Sequence, residues 1–342
     1  MKLLKELSEA FGGSGHEEEV ARIVARELKP LCSKVWVDTL GNVIGLKPGK
    51  GKKEGRKKIM IAGHMDEIGF IVSHVNKNGF LRVSPAGGFD PRTLMSQRVT
   101  VLGKGKNKLP GLLSVAGKPV HIQTPEDRKK ELKVSDFFVD IGMDGKAVQK
   151  MVELGDRVIW DRDFIEMGDC VTGKALDDRV GVYVMIEAMR KVKGNADDIY
   201  AVGTVQEEVG LRGAKTSAFS IEPDVAIALD VTLAVDTPGG DDFAQISQLG
   251  KGIAIKIMDS SSISDAKLVK EFRSIGDKKK IPYQLEILPR GGTDAGAMQM
   301  SHSGARVITL SVPTRYVHSV NETAHKVDVK AGIDLLAAYL SR

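Results

Sequence analysis

Residues 58–66 of the chain read KIMIAGHMD, and this stretch decides the fold. The apolar run from Ile59 to Gly63 ends in His64, which is typical of a strand buried inside an α/β sheet. Folds of that class place their chemistry where strands end. Because side chains alternate along a strand, His64 and Asp66 point to the same side if the strand persists.

Strands and helices alternate on both sides of this stretch, with one interruption. Residues 16–29 predict a helix, and VWVD and NVIGL predict short strands before residue 58. From about residue 66 the segments become short, β-rich and punctuated by glycine, with one helix around 144–153. After about residue 164 the alternation resumes, with helices predicted over 177–191, 265–276 and 328–341.

This organisation predicts an α/β protein whose mixed, mainly parallel sheet is flanked by helices. Residues 1–65 and 165–342 are expected to form one discontinuous domain. Residues 66–164 are expected to form a smaller, inserted β-rich domain. A length of 342 residues leaves room for both.

The composition is that of an ordinary globular protein, with 42% hydrophobic and 28% charged residues. No apolar run approaches the roughly 18 residues of a membrane span. Residues 1–15, MKLLKELSEAFGGSG, predict a short amphipathic helix rather than a signal peptide. Cys32 and Cys170 form no CxxC pair, so we expect neither a disulfide framework nor a cysteine zinc site. A reducing cytoplasm is the predicted location.

The net charge of +5 comes from one basic tract. Residues 47–58, KPGKGKKEGRKK, hold seven Lys or Arg against one Glu, which leaves the rest of the chain at about −1. Gly and Pro in the tract predict an exposed hairpin connection. Since no nucleic-acid-binding motif accompanies it, we expect no nucleic-acid partner.

Metal-binding side chains stand at several predicted strand and helix ends. They are His64, Asp177 in ALDDR, Glu207 and Glu208 in VQEEVGLRGA, Asp230 in IALD and His318 in PTRYVHS. Each has a plainer interpretation when taken alone, such as a helix cap for Asp177 or Asp230, or a surface histidine for His318. Together they predict a two-metal hydrolase.

Each position suggests a role. A carboxylate at a helix start, Asp177, can bridge two ions ~3.5–4 Å apart. Adjacent residues leaving a strand point in different directions, so one of Glu207 and Glu208 can bind metal while the other stays free as a general base. An imidazole at position 64 can bind metal while Asp66 fixes its orientation or holds a catalytic group.

The donor set also limits the metal. Two imidazoles and three carboxylates without a thiolate suit Zn²⁺, Co²⁺ or Mn²⁺ better than Ca²⁺ or an iron–sulfur cluster. Three carboxylates nearly balance two divalent cations. The sequence contains no GxSxG elbow and no HExxH motif, so a serine nucleophile and a single-zinc protease are both unsupported.

With these residues in hand, the chain resembles the tetrahedral (TET) aminopeptidase family, the glutamyl-aminopeptidase and CelM-type co-catalytic metallopeptidases. The resemblance covers essentially the whole length. It rests, in chain order, on SG-x-E near the start, GNVIG, GHMDEIGF, the AGG and QRV stretches, GKALDDR, VQEEVGLRGA, LDVTLAVDTPG, GGTDAGA and VPTRYVHS.

The resemblance implies specific roles for the residues that match. One metal ion is held by His64 and Asp230, the other by Glu208 and His318, and Asp177 bridges them. Glu207 is then the general base and acid, and Asp66 orients the His64 side of the site. The resemblance further implies two divalent ions per subunit, zinc or cobalt ahead of manganese. It also implies an inserted domain used for dimerisation, and dimers that assemble into a hollow dodecamer.

The predicted function is a metal-dependent aminopeptidase that removes the N-terminal residue from peptides. Another di-metal amidohydrolase, a deacylase or a carboxypeptidase, is the nearest alternative, and dependence on a free N-terminus separates the two. A non-catalytic scaffold or nucleic-acid binder that uses the 47–58 tract ranks last. The preferred first residue stays open, although Arg315 is a candidate for favouring acidic side chains.

Overall fold

The computed structural model describes residues 1–239 and 246–342. Nine α-helices lie in these two ranges: Lys2–Glu9 (α1), Glu18–Leu28 (α2), Pro125–Lys129 (α3), Gly145–Met151 (α4), Leu176–Lys191 (α5), Arg212–Ile221 (α6), Ala266–Lys279 (α7), Asp294–Gln299 (α8) and Lys326–Leu340 (α9).

Seventeen strands lie in the same described ranges. They are Lys34–Val37 (β1), Val43–Lys47 (β2), Lys58–His64 (β3), Gly69–Val75 (β4), Leu81–Ala86 (β5), Gln97–Gly103 (β6), Asn107–Val115 (β7), Phe137–Asp140 (β8), Arg157–Trp160 (β9), Ile165–Met167 (β10), Cys170–Gly173 (β11), Asp198–Thr204 (β12), Val225–Leu233 (β13), Ile253–Met258 (β14), Tyr283–Ile287 (β15), Arg306–Arg315 (β16) and Glu322–His325 (β17).

One large mixed sheet carries most of these strands, in the order β1-β2-β12-β3-β13-β16-β17-β11-β10, with β14 and β15 beside β16. The four central strands β12, β3, β13 and β16 run parallel, and the outer pairs on this path are antiparallel. The predicted mixed α/β fold is therefore confirmed.

The central strands are buried on both faces because helices cover both. Residues 59–64 of β3 are all buried, which explains the continuous apolar run in the sequence. One core lies under α1, α2, α5, α7 and α9, and includes Leu4, Phe272 and Tyr339. The opposite core lies under α6 and α8 and consists largely of small residues such as Ala214 and Ala295.

A closed barrel of six strands, β4-β5-β8-β7-β6-β9, is formed by the part of the chain that lies between strands β3 and β10 of the large sheet. Its strands alternate between buried and exposed residues, as in β5, because only the inner face packs on a core. All six strands lie within the predicted insertion, 66–164, whose domain bounds stay a prediction.

The barrel core also receives one residue from the other end of the chain. Val320, in the connection from β16 to β17, is 6% exposed and packs with the barrel residues Phe70 and Trp160 in one apolar cluster. The connection that contains His318 is therefore anchored in the barrel.

Some sequence-based expectations differ from the structure. The 47–58 tract is not a hairpin connection, because β12 lies between β2 and β3 and pairs with both. Helix α6 and strands β10 and β11 were not predicted. No helix in the described residues is both long and apolar enough to cross a bilayer.

A buried ion cluster ties the N-terminal segment to the sheet. Lys174 Nζ donates to both carboxylate oxygens of Glu67, at 2.7 and 2.9 Å, and Arg179 Nη2 lies 3.2 Å from Glu67 Oε1. The arginine also donates to the carbonyl oxygen of Leu7. All three charged side chains are at most 2% exposed. One carboxylate therefore holds two buried cations next to α1.

We predict that Glu67→Gln lowers the free energy of unfolding by roughly 3–5 kcal/mol, because it leaves two buried cations without a counter-charge. The measurement is the urea midpoint, followed by fluorescence. Glu153→Gln is the matched control, because Glu153 forms a solvent-exposed ion pair with Lys104 and its loss should change the free energy by less than about 1 kcal/mol. Equal midpoints for the two variants would contradict the prediction.

Candidate metal centre

The carboxyl ends of the central parallel strands meet at one edge of the sheet. His64, the last residue of β3, is in register with Thr204, the last residue of β12. On the other side of β3, β13 places Asp230 opposite Ser311 of β16. Because these strands are parallel, the turn after β12 that contains Glu207 and the side chain of Asp230 come to the same edge.

Asp177 lies between the two candidate histidines. Its Oδ1 atom is 3.0 Å from His64 Nε2, and its Oδ2 atom is 3.4 Å from His318 Nε2. Each oxygen of one carboxylate thus faces a different imidazole. This is the arrangement that a bridging carboxylate requires.

Two overlapping groups of possible ligand atoms result. His64, Asp177 and Asp230 offer one group, and Asp177, Glu208 and His318 offer the other, with all atoms of each group within 4.8 Å of one another. Within the described residues these are the two such clusters. The structure thus brings together all five side chains that the sequence singled out as metal ligands.

Asp66 is buried and holds the turn that follows β12. Its carboxylate accepts hydrogen bonds from the backbone N–H groups of Glu207, at 2.9 Å, and Glu208, at 3.2 Å. The Nδ1 atom of His64 lies 3.1 Å from the Asp66 carbonyl oxygen and 3.4 Å from its carboxylate. Asp66 therefore orients both the imidazole and the two glutamates.

The side chains of the adjacent residues Glu207 and Glu208 point in different directions. Glu208 Oε2 lies 3.4 Å from His318 Nε2, while its Oε1 atom is buried and has no hydrogen-bond partner among the described residues. The Glu207 side chain lines a cavity of about 520 Å³ that also exposes His64, Asp177, Glu208, Asp230 and His318, hereafter the metal-site cavity. One glutamate therefore faces the ligand group, and its neighbour faces open space.

Burial dominates the electrostatics of the site. It raises the pKa of Glu207 well above the ordinary range, and the negative charge of Asp230 adds to the effect. Burial and the charge of Asp177 raise the pKa of Asp230 in the same way. Burial alone would lower the pKa of His318, but hydrogen bonds to Asp177 and Glu208 raise it to about 12. Crowded carboxylates thus stabilise positive charge strongly at this position.

Several supporting residues escaped the sequence analysis. Glu322 accepts from the backbone N–H groups of both Asp177 and His318, at 2.9 and 2.8 Å, and so holds two candidate ligands together. Asp178, which follows the candidate ligand Asp177, is fully buried and accepts from the backbone N–H of His64 at 3.1 Å. Asp178 is adjacent to Asp177 and Glu322 is four positions after His318, and that proximity was the one available signal.

The SG-x-E stretch near the start of the chain reaches the same turn. Ser14 Oγ donates to Asp66 Oδ2 at 2.7 Å. Glu17 Oε1 accepts from the backbone N–H groups of Gly15, at 2.7 Å, and Gln206, at 3.2 Å. The resemblance made this stretch notable, but nothing in the sequence connected it with Asp66 or with the glutamates.

Arg315 does not line the metal-site cavity. Its guanidinium donates to both carboxylate oxygens of Asp236, at 2.7 and 2.8 Å, and this ion pair neutralises it. Arg290 lines the cavity instead, beside the apolar side chains of Leu211 and Leu288. The structure therefore gives no support to Arg315 as the residue that selects acidic side chains.

Known proteins resemble this chain over nearly its whole length. A putative aminopeptidase of Acetivibrio thermocellus is 42% identical over 335 residues, which cover 98% of this chain and 96% of that protein. The structure of an aminopeptidase from the archaeon Desulfurococcus kamchatkensis superposes with a TM-score of 0.94 at 41% identity, covering 99% of this chain and 94% of that one. The Pyrococcus horikoshii TET1 peptidase, described as assembling into a tetrahedron or a large octahedral shell, gives 0.86 at 32% identity, covering 99% and 98%.

The fold and these likenesses define an aminopeptidase. The chain belongs to the M42 glutamyl aminopeptidase family, whose sequence profile matches residues 41–335. The resemblance identified from the sequence is thereby confirmed.

We predict that Ser14→Ala lowers kcat/KM for peptide hydrolysis by about tenfold or more, because a hydrogen bond to a charged group contributes about 1.5–3 kcal/mol. The loss would loosen Asp66 and the turn that it holds. Ser8→Ala is the matched control, since Ser8 Oγ is also buried but donates to the Lys174 carbonyl oxygen. The kcat/KM of each variant is measured by steady-state kinetics on one peptide. An equal loss of kcat/KM in both variants would contradict the prediction, because it would show that the effect comes from disturbed packing of the N-terminal segment.

Proposed function

We propose that this chain is a two-metal aminopeptidase that hydrolyses the N-terminal residue from peptides. The observation that carries the proposal is the pair of ligand groups that share Asp177. In this proposal His64 and Asp230 would hold one ion, Glu208 and His318 would hold the other, and Asp177 would contribute to both. Zn²⁺ or Co²⁺ suits this set of imidazoles and carboxylates best, with Mn²⁺ as a third choice.

Two features of the site support binding of cations. The buried Glu208 Oε1 atom lacks a partner among the described residues, and such an atom costs free energy unless something binds it. The Asp177 carboxylate is close to Asp230 in one group and to Glu208 in the other, so cations would reduce the repulsion within each pair. Nearby backbone donors to Asp66 and Glu322 fix the ligands without using their coordinating atoms.

The chemistry assigned to this chain's own residues centres on Glu207. Divalent ions in such a site lower the pKa of water and polarise a carbonyl group. The Glu207 side chain, which has no hydrogen bond or ion pair within the described residues, takes a proton from the attacking water. It then returns that proton to the nitrogen of the departing amine. Asp66 keeps Glu207 in position through its backbone N–H group.

Selection of the N-terminal residue follows from the chemistry of a free amine. In this proposal the α-amine of the substrate would bind one of the two ions or a nearby carboxylate that lines the metal-site cavity. An acetylated N-terminus is an amide, whose nitrogen is neither basic nor charged. Cleavage is therefore restricted to the first residue of a peptide with a free N-terminus.

We further propose that the protein forms homo-oligomers, with residues 66–164 mediating dimers that assemble into a dodecamer. The assembly described for the Pyrococcus horikoshii relative supports this. A cytoplasmic location, predicted from the cysteine usage, also stays a proposal.

Metal dependence can be tested on matched peptides. We expect that a chelator abolishes hydrolysis, and that Co²⁺ or Zn²⁺ restores release of the first residue from free peptides but not from N-acetylated ones. Product release is followed by chromatography. Equal cleavage of free and blocked peptides would indicate a deacylase or an endopeptidase. Absence of cleavage from either peptide, with two ions bound, would favour a non-catalytic role.

The role of Glu207 can be separated from that of the ligands. We predict that Glu207→Gln lowers kcat by about 10²–10⁴-fold, the usual contribution of a general base, while metal content stays at the level of the unmodified protein. Asp177→Asn is the comparison variant, and it should lose metal as well as activity. Metal content is measured by atomic emission. Loss of metal in Glu207→Gln would make this residue a ligand rather than the base.

A further inference from the structure

A second cavity lies between helix α2 and the 38–42 connection of strands β1 and β2. It has a volume of about 420 Å³ and shares no lining residue with the metal-site cavity. Glu17 and Val205 are part of its lining, and Val205 is two positions before Glu207. We call it the α2 cavity. It therefore borders the turn after β12 without being part of the candidate metal centre.

Two hydrogen bonds connect the lining of the α2 cavity with this turn. Glu17 Oε1 accepts from the backbone N–H of Gln206 at 3.2 Å, and Asn42 Oδ1 accepts from the backbone N–H of Val205 at 3.0 Å. Gln206 has a φ of +54°, a left-handed conformation that a residue with a side chain keeps only when its surroundings hold it. A ligand that moves Glu17 would therefore also affect the position of Glu207.

Glu17 is a buried carboxylate without a counter-charge. The residue is 6% exposed and forms no ion pair with the described residues. Its Oε1 atom accepts two backbone hydrogen bonds, whereas Oε2 accepts none from another described residue. Burial, together with the negative charge of Asp66, raises the pKa of Glu17 to about 7. An ammonium group in the cavity would supply the missing positive charge.

Helix α2 adds one free charge of each sign to the lining. Glu18 and Arg22 are both exposed and stand four residues apart, the usual spacing of a helical ion pair. Neither makes an ion pair or a hydrogen bond with the described residues. Asp38, in contrast, is already occupied, because its Oδ1 atom accepts from the backbone N–H groups of residues 40, 41 and 42. Arg22 is thus available for a carboxylate, and Glu18 for an ammonium group.

Apolar side chains complete the lining of the α2 cavity. Val37 is 56% exposed and Leu40 is 36% exposed, and Ala21 and Ala25 line the cavity as well. A ligand that covers exposed apolar side chains is stabilised by the apolar surface it removes from water. A volume of about 420 Å³ is in the range of small-molecule sites. The cavity therefore suits a small molecule with one cationic, one anionic and one apolar group.

We infer that the α2 cavity binds a free amino acid with an apolar side chain and that its occupant acts on the turn that carries Glu207. The α-carboxylate binds Arg22, the α-ammonium group binds Glu17 and Glu18, and the side chain lies against Leu40. Such amino acids are products of the proposed aminopeptidase. The regulatory part of this inference rests on that proposed function, whereas the binding part does not.

The expected effect of the bound amino acid is a lower kcat. Its ammonium group competes with the backbone N–H of Gln206 for the Glu17 carboxylate, so the turn is held less firmly and Glu207 is positioned less well. Because the two cavities share no residue, an amino acid in the α2 cavity does not displace the peptide. An amino acid that binds in the metal-site cavity would instead compete with the peptide and raise KM.

The test is the effect of free leucine on steady-state hydrolysis of one peptide by the metal-loaded protein. We expect leucine to lower kcat at saturating peptide. Arg22→Gln and Glu18→Gln should each raise the leucine concentration that halves kcat by about tenfold, because each removes a charged contact. Each variant is compared with itself in the absence of leucine. Both positions are exposed on a helix, so glutamine is compatible with the fold.

Arg273→Gln is the matched control. Arg273 is an exposed arginine of α7 that makes no ion pair with the described residues and does not line the α2 cavity, so the leucine effect should stay unchanged. The probes 4-methylpentanoate, which lacks the amine, and 3-methylbutylamine, which lacks the carboxylate, should lower kcat at least about tenfold more weakly than leucine. Leucine that raises KM alone would overturn the inference, and so would a kcat effect that persists in both α2 variants.

A binding measurement keeps the site separate from the proposed function. If the metal-loaded, unmodified protein cleaves no peptide, the proposed function fails. Hydrogen–deuterium exchange is then measured with and without leucine. Slower exchange of the amides in residues 17–25 and 37–42, lost in Arg22→Gln, supports the α2 cavity as an amino-acid site. Exchange that leucine does not change in these segments overturns it.

Discussion

The central constraint on this structure is that several carboxylates are buried side by side at one edge of the large sheet. Like charges in a medium of low dielectric repel strongly, and each must be neutralised or supplied with donors. Asp66 is satisfied by backbone N–H groups and a serine hydroxyl, and Glu322 by two backbone N–H groups. Asp177 faces two imidazoles. What remains is excess negative charge around one cavity, which is where the proposed cations belong.

The parallel order of the central strands brings these carboxylates together at one edge of the sheet. Strands β3, β12, β13 and β16 run in one direction, so the segments after them come together although they are far apart in sequence. Helix α5 then brings Asp177 to the same edge. The supporting hydrogen-bond donors come from the N-terminal segment and the turn after β12, and the Glu322 carboxylate at the start of β17 is a supporting acceptor. Each candidate ligand is therefore positioned by a different element of the fold, and the site forms only when the whole sheet is assembled.

Much of this could be predicted because buried strands leave a plain signature. The apolar runs before His64 and Asp230 predicted strands β3 and β13, although β13 continues for three residues beyond Asp230. Helix α6 was missed because its sequence, RGAKTSAFSI, is rich in small and polar residues and packs on a core of alanines. Ser14, Glu17 and Glu322 could not be assigned, since their partners lie far away in sequence or are backbone groups. The hairpin expected at residues 47–58 was wrong because local turn chemistry does not reveal that β12 inserts between the two flanking strands.

The position of Val320 has a consequence for how the protein can change over evolutionary time. This residue belongs to the barrel's apolar core, yet it is only two positions from His318. A mutation that loosens the barrel would therefore let the His318 imidazole move away from the sheet edge, so a partial opening of the barrel would remove one candidate ligand from the site. The barrel is consequently not a detachable module. Its sequence is constrained by the geometry of a centre to which its six strands contribute none of the candidate metal ligands.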